Sequence, residues 1–252
     1  MPTGPHDHLP SHALALPILA ACVLTACQSP PPHHNAGSDA GADTSPAPHS
    51  HTWIDLTPHI RIDRVTQTVE FDARVAMDCH NPTTPDVYLE LIACSPDTRE
   101  HESLVVTDAT PSLIHAALLT VGLEPGSPAN LSAATPPSGG PITVTLITDT
   151  NDNTTATPAN AWITDATTRT QHPDFTFVFA GSRQARPNAP IAYDADGTGV
   201  IVGLTTFGSE VIANTALINP QADIDEPLWI ADPRTVPPIN TPVRVRLSPA
   251  TP

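Results

Sequence analysis

The chain has 252 residues, enough for one or two domains, with 26 acidic residues against 10 basic ones and a formal charge of −16. All the basic residues are Arg, and this balance argues against nucleic-acid phosphate as a partner, which would need a basic footprint. With 31 Pro and 4% aromatic residues, long helices are disfavoured, yet 39% apolar content still suffices for a core in a body of roughly 200 residues.

In chain order, residues 13–26 form an apolar run too short to span a bilayer and broken by Pro17. It ends in Leu24-Thr25-Ala26-Cys27, which resembles the lipobox of bacterial lipoproteins. That resemblance makes residues 1–26 a signal peptide, cut before a Cys27 that carries lipid on its sulfur and a fatty acyl group, such as palmitate, on its new amine. Three chains at ~0.8 kcal/mol per buried CH₂ hold far more firmly than one. The partner so implied is a lipid bilayer. Gln28, where an Asp would signal inner-membrane retention, implies the outer membrane, facing the periplasm. From Gln28 to Ser50 there is no Val, Ile, Leu, Met or aromatic residue, so residues 27–52 are expected to be a disordered Pro/Ser/Ala/Gly tether. His33, His34, His49 and His51 fall in or beside it and are too scattered for a metal tract.

Residues 53–250 are expected to form the folded domain. Alternation of apolar and polar residues predicts strands around 60–62 and 69–77, then 87–94 and 103–106. A helix follows over 111–121, with Pro111 at its first position, Thr110 or Asp108 as cap and Gly122 just past its end. Leu113, Ile114, Ala117, Leu118 and Val121 make one apolar arc, so the helix is expected to pack on a sheet. Ser138-Gly139-Gly140-Pro141 is a break. Short strands are then expected at 142–147, 161–163, 175–179, 191–193, 200–204, 210–212, 228–230 and 243–247, with Asp196-Gly197 as a hairpin turn. The expected class is α+β, predominantly β, with mostly antiparallel short strands and one principal helix packed on a sheet. Without sustained strand–helix alternation, a doubly wound sheet does not fit.

Leu89-Glu90, Cys94, Thr98-Arg99-Glu100-His101-Glu102-Ser103, Pro111-Ser112, His115-Ala116-Ala117-Leu118-Leu119 and Gly122-Leu123-Glu124-Pro125-Gly126 together resemble the YdjY-like domain of bacterial envelope proteins. The second half agrees in order: Trp162-Ile163-Thr164-Asp165, Phe177-Val178-Phe179-Ala180-Gly181-Ser182-Arg183, Tyr193-Asp194-Ala195-Asp196-Gly197 and the run from Val236 to Val243. The resemblance covers roughly residues 60 to 248. It brings no biochemical function with it, and the iron–sulfur cysteine runs of some relatives are missing here.

Cys79 and Cys94 remain once Cys22 and Cys27 are set aside, and an oxidising envelope makes a disulfide the default. If strands 69–77 and 87–94 formed a hairpin, however, the two would lie roughly 30 Å apart, against a limit of ~7 Å between Cα atoms. The pairing stays open. His101, between Glu100 and Glu102, is the most suggestive polar cluster. With His115 and Cys94 it offers donors that suit zinc, although no HExxH or paired CxxC spacing supports this. Otherwise residues 99–103 are a turn and His115 a hydrogen-bonded residue at the edge of the core. No GxSxG, P-loop or GxGxxG is present. Asp194 to Gly197 and Asp149 to Asn153 lack the glycine and glutamate placement of a calcium loop and read as turns.

No complete nucleophile–base–orienter set emerges, which favours a periplasm-facing binding or structural module over an enzyme. No cofactor is called for. The rival is a metal-binding protein or metal-dependent enzyme built on His101, Glu102 and His115, with Cys94 as a further ligand and zinc as the metal. No protein or small-molecule partner can be named from the sequence.

Overall fold

Along Val243, Val245 and Leu247 every second side chain is buried, and in the strand from Thr68 to Val75 the apolar Val69, Phe71 and Val75 are buried together with Thr68 and Glu70. Such strands need an apolar interior on one side. The computed structural model describes residues 51–150, 153–170, 172–184 and 191–250. The signal peptide, Cys27, the tether up to Ser50 and residues 151–152 of the expected turn at 149–153 lie outside them.

The first half contains β1 (Ile54–Thr57), β2 (Ile60–Asp63), β3 (Thr68–Val75), β4 (Leu91–Cys94), β5 (Ser103–Val106) and α1 (Pro111–Thr120). Next come β6 (Pro125–Ser127), β7 (Ser138–Gly139), β8 (Pro141–Thr150), β9 (Asn153–Pro158), β10 (Ile163–Asp165) and β11 (Phe177–Phe179). The chain finishes with α2 (Asp194–Thr198), β12 (Val200–Gly203), β13 (Ile212–Asn214), β14 (Trp229–Ala231) and β15 (Pro242–Pro249).

Eight strands run in the order β3-β15-β8-β11-β13-β12-β4-β5, and β5 pairs back to β3 through Arg74 with Val106 and Val75 with Val105. The sheet is therefore a closed barrel, with β1 and β2 extending it from β3 and β9 from β8. Closure removes the open edges at β3 and β5, and an eight-stranded barrel has an interior that side chains can fill. Phe71, Phe179, Leu146 and Val245 are among the buried residues of this core.

This corrects the expected α+β class with a principal helix packed on a sheet. The protein is mostly β and built on a barrel, and α1 is the one helix of seven or more residues among those described. Its place follows from its contacts. Near the N-terminal side, the His115 ring meets Phe179 at the end of β11, with centroids 5.0 Å apart. At the other end, the Val121 carbonyl accepts a hydrogen bond from Gln67 Nε2, in the turn between β2 and β3. A ten-residue helix is roughly 15 Å long. It lies across one end of the barrel as a cap. Ile114, Ala117, Leu118 and Val121 point into the core, whereas Leu113, placed in the expected arc, is exposed. An apolar arc looks the same whether it faces a sheet or the end of a barrel. The helix limits themselves stand: Pro111 starts it and Gly122, at φ +89°, follows its end.

Two strand pairs are parallel, β4 with β5 and β12 with β13. Parallel neighbours need a crossover, usually helical. Here two irregular segments, residues 95–102 and 204–211, do the work, and Arg99 of the first stacks 4.5 Å from the Phe207 ring of the second. Leu91, Cys94, Val106 and Val200 form a small apolar cluster of their own, with Phe207 packed against it.

Other expectations shift. The strand at 87–94 divides: Leu91–Cys94 joins the barrel, while Tyr88 bridges to Ile230 and the Leu89 amide donates to the Trp229 carbonyl at 2.8 Å. The strand expected at 161–163 is a 3₁₀ turn up to Trp162, followed by β10. Asp196-Gly197 is not a hairpin turn but part of α2, where Asp196 accepts a 2.8 Å hydrogen bond from the Ser112 amide of α1. That long-range bond has no counterpart in local turn statistics.

Candidate functional site

The strand directions give the barrel two different ends. One holds the C-terminal ends of β4, β5 and β11 and the N-terminal ends of β12 and β13, and α1 crosses it. Here the Tyr193 hydroxyl donates to the Gly181 carbonyl at 2.9 Å, and His115 Nδ1 lies 2.7 Å from the same hydroxyl oxygen. The Tyr193 proton being committed to Gly181, His115 donates. Burial lowers the His115 pKa and raises that of Tyr193, in each case favouring the neutral form. Gly181 has φ +87°, and a Cβ there would come within 2.6 Å of Pro125, so no other residue fits. Ser182 accepts from the Ala195 amide at 3.2 Å and Arg183 bonds Asp194 at 3.1 Å. At this end the motif residues hold the cap in place.

The other end has an opening at its rim, although Trp162, Ile163 and Val236 are packed into the core. Glu90 precedes β4, Glu102 precedes β5, and Leu204 and Thr205 follow β12. The Glu90 carbonyl accepts the amides of Leu204 and Thr205 at 2.9 and 3.1 Å, and its own amide donates to the Glu102 carbonyl at 2.9 Å. Beside them opens a cavity of about 700 Å³. Tyr88, Phe175, Trp229, Leu204, Leu217 and Ile218 supply its apolar walls. Phe175 and Trp229 meet edge to face, with centroids 5.6 Å apart.

Arg99 anchors the polar side, with Nη1 2.7 Å from Glu90 and 3.3 Å from Glu102. Burial, together with the Glu102 carboxylate beside it, pushes Glu90 up to about 7 despite the pull of Arg99. Asp86, Asp225 and Glu226 add acidic groups to the lining, and among the described lining residues there is no Arg or His. Thr205 lines the cavity too, and its buried Oγ1 has no hydrogen-bond partner.

The residues singled out in the sequence are not gathered here as a set. Glu102 lines the cavity, but His101 is 74% exposed, 3.7 Å from Glu102. His115 belongs to the capped end, and Cys94 is buried in the cluster with Leu91 and Val200. Among the described residues no group of three or more His, Cys, Asp or Glu is placed to hold a metal. Cys79 is half-buried against the main core; it and Cys94 are free thiols. The hairpin that would have separated them does not form, because β5 lies between β3 and β4. Sequence reasoning missed Glu90, Thr205 and Trp229 as site residues, and singled out Arg99 only as part of the charged turn around His101. Glu90 and Arg99 do stand in the family motifs, but nothing local links them to residues more than a hundred positions later.

Residues 60–248 match the model of the YdjY domain, which is most of the chain and takes in both ends of the barrel. The chain belongs to the YdjY domain family. No curated protein and no solved structure matches it. Within this YdjY domain, then, one end is a closed hydrogen-bonded cap and the other a half-apolar, acidic cavity. Among the described residues no helix is long and apolar enough to cross a membrane.

Proposed function

We propose that this YdjY-domain protein is a lipoprotein of the cell envelope, anchored through acylated Cys27 at the periplasmic face of the outer membrane, whose barrel binds a small molecule at its open end. The anchor reading rests on Leu24-Thr25-Ala26-Cys27 and on the apolar-free stretch from Gln28 to Ser50, which suits a tether. The binding reading is carried by the cavity. It has about 700 Å³ of room, within the range of small-molecule sites, and mixes aromatic walls with a few polar groups. Native proteins satisfy nearly all buried polar groups, and an unmade bond costs about 1–3 kcal/mol. Thr205 Oγ1, buried behind the wall rather than open to the cavity, is one such unmet group, and Glu210 Oε2 is another. Neither Ser, Cys nor His is among the described lining residues, which supports binding rather than acyl transfer.

The test uses the full-length protein and the uncharged fluorescent probe N-phenyl-1-naphthylamine. Saturable one-to-one binding is expected above the linear partition into the carrier lipid, and Leu217→Trp, which fills the cavity, abolishes it. Partition alone, the same in both proteins, overturns the reading. The anchor is tested separately: Cys27→Ala loses labelling by a clickable fatty acid, and unchanged labelling rejects it.

A further inference from the structure

Charge and shape narrow the kind of ligand that the open end takes, a step that rests on its being a binding site. Five carboxylates line the cavity, and none of its described lining residues is basic. They are not equivalent. Asp86 is engaged by Arg169, and Asp225 accepts the Asn219 amide at 2.6 Å. Glu90 and Glu102 share one guanidinium, that of Arg99, so two carboxylates face a single permanent positive charge, the exposed His101 ring lying 3.7 Å from Glu102. Arg99 is itself held, its guanidinium stacked on Phe207, 4.5 Å from the ring centroid. The pair is thus short of one positive charge on the side that borders the cavity. Another part of the lining is aromatic, with Phe175 and Trp229 edge to face.

We infer that the cavity takes an organic cation, a small molecule with an apolar, ring-sized body and an ammonium or amidinium group that Glu90 and Glu102 receive. The body packs on Phe175 and Trp229, whose ring faces also attract a cation. The head supplies the missing positive charge through a charge-assisted hydrogen bond. No bond is made or broken in this step. Above pH 7, where Glu90 is ionised, the cation meets a net negative pair. Below it, Glu90 carries a proton and the cation must displace it. The charged groups that face Glu90 are Glu102 and Arg99, and His101 faces Glu102 from the same turn at 3.7 Å.

The experiment holds the body constant and changes the charge. 2-(1-Naphthyl)ethylammonium, 2-(1-naphthyl)ethanol and 1-naphthylacetate compete with N-phenyl-1-naphthylamine on the full-length protein. A hydrogen bond to a charged group is worth roughly 1.5–3 kcal/mol, so the ammonium compound should bind about tenfold or more tighter than the alcohol at pH 8, with the anion weakest. That advantage should shrink by about tenfold at pH 6, as Glu90 takes up its proton. Glu90→Gln should erase the advantage. If alcohol and ammonium compete equally while the probe still binds, the cation is wrong and the binding site stands. If the advantage persists unchanged at pH 6 and in Glu90→Gln, the cation is held elsewhere and the assignment to Glu90 falls. If the probe does not bind at all, the site itself is refuted and this inference goes with it.

Discussion

The two ends of the barrel differ in how their polar groups are met, and the capped end has one exception of its own: buried Glu210, whose carbonyl takes the Ser182 amide, keeps Oε2 without a partner, and burial raises its pKa. At the capped end the Tyr193 hydroxyl, the His115 ring, the Gly181 carbonyl and Ser182 Oγ meet one another or the backbone at ordinary hydrogen-bond distances. Asp63, beside the β2–β3 turn at that end, is buried. Burial opposes its charge, but His51, Thr66 and the amides of Val65 and Thr66 hold its pKa down to about 2. At the open end burial wins. Glu90 is pushed up to about 7, Glu102 competes with it for Arg99, and Thr205 Oγ1 has no partner. A carboxylate surrounded by donors stabilises the fold, whereas one short of donors is a place where a ligand can supply what is missing. The difference separates the part of the domain that holds it together from the part left for binding.

The largest effect that would break this comparison lies in the core under the cap. Phe179 is fully buried against the His115 ring, so Phe179→Ala should cost about 3–5 kcal/mol of stability in urea unfolding. Tyr88→Ala, at an exposed position of the open end, should stay within about 1 kcal/mol. Equal losses would mean that the ends do not differ in structural weight. Next comes Tyr193→Phe, which keeps the packing but strips His115 and the Gly181 carbonyl of their shared hydroxyl. About 1–3 kcal/mol should be lost, because those groups stay buried and unpaired. An unchanged unfolding midpoint would deny the network its role as a latch.

The smallest effect sharpens the contrast through pH. Glu90 binds its proton more tightly folded than unfolded, so between its ordinary pKa of 4.5 and about 7 the folded protein holds the extra proton. Its contribution is therefore present at low pH and lost as pH rises through that window, on the order of 1 kcal/mol once solvent screening is allowed for. Glu90→Gln should flatten this part of the stability profile. Asp63 works the other way: its contribution is present above pH 4 and disappears as pH falls towards 2. Unfolding curves of wild type and of Glu90→Gln from pH 2 to 8 separate the two. A Glu90→Gln profile that keeps the loss between pH 4.5 and 7 would place its cause elsewhere.

Much of the secondary structure was legible in the sequence. Alternation located β3 and β15, a short apolar run located β5, and a proline and a glycine bracketed α1, because these features depend on neighbours in the chain. β9, the polar Asn153–Pro158 strand, gave no such signal, since it is mostly exposed and pairs along β8. The run of motifs was also enough to point to the family, which residues 60–248 bear out. The candidate site was scarcely legible. Glu102 stands out in the sequence as a metal ligand beside His101 and His115, yet the tertiary structure puts His115 at the opposite end and brings Glu90, Arg99, Thr205 and Trp229 in its place.

What the sequence determined by itself was which residues face inward, where the helix starts and stops, and which family the chain joins. What only the tertiary structure decided was that the sheet closes, that α1 is a cap, and that a cavity opens at the opposite end. The reason is physical. Inward-facing alternation is identical in an open sheet and a barrel, and closure depends on hydrogen bonds between β3 and β5 around Val75 and Val105, across the whole of β4 and the 95–102 crossover. Once those bonds form, the ends of β4, β5 and β12 must meet, and a carboxylate pair short of one positive charge comes to lie beside an aromatic wall.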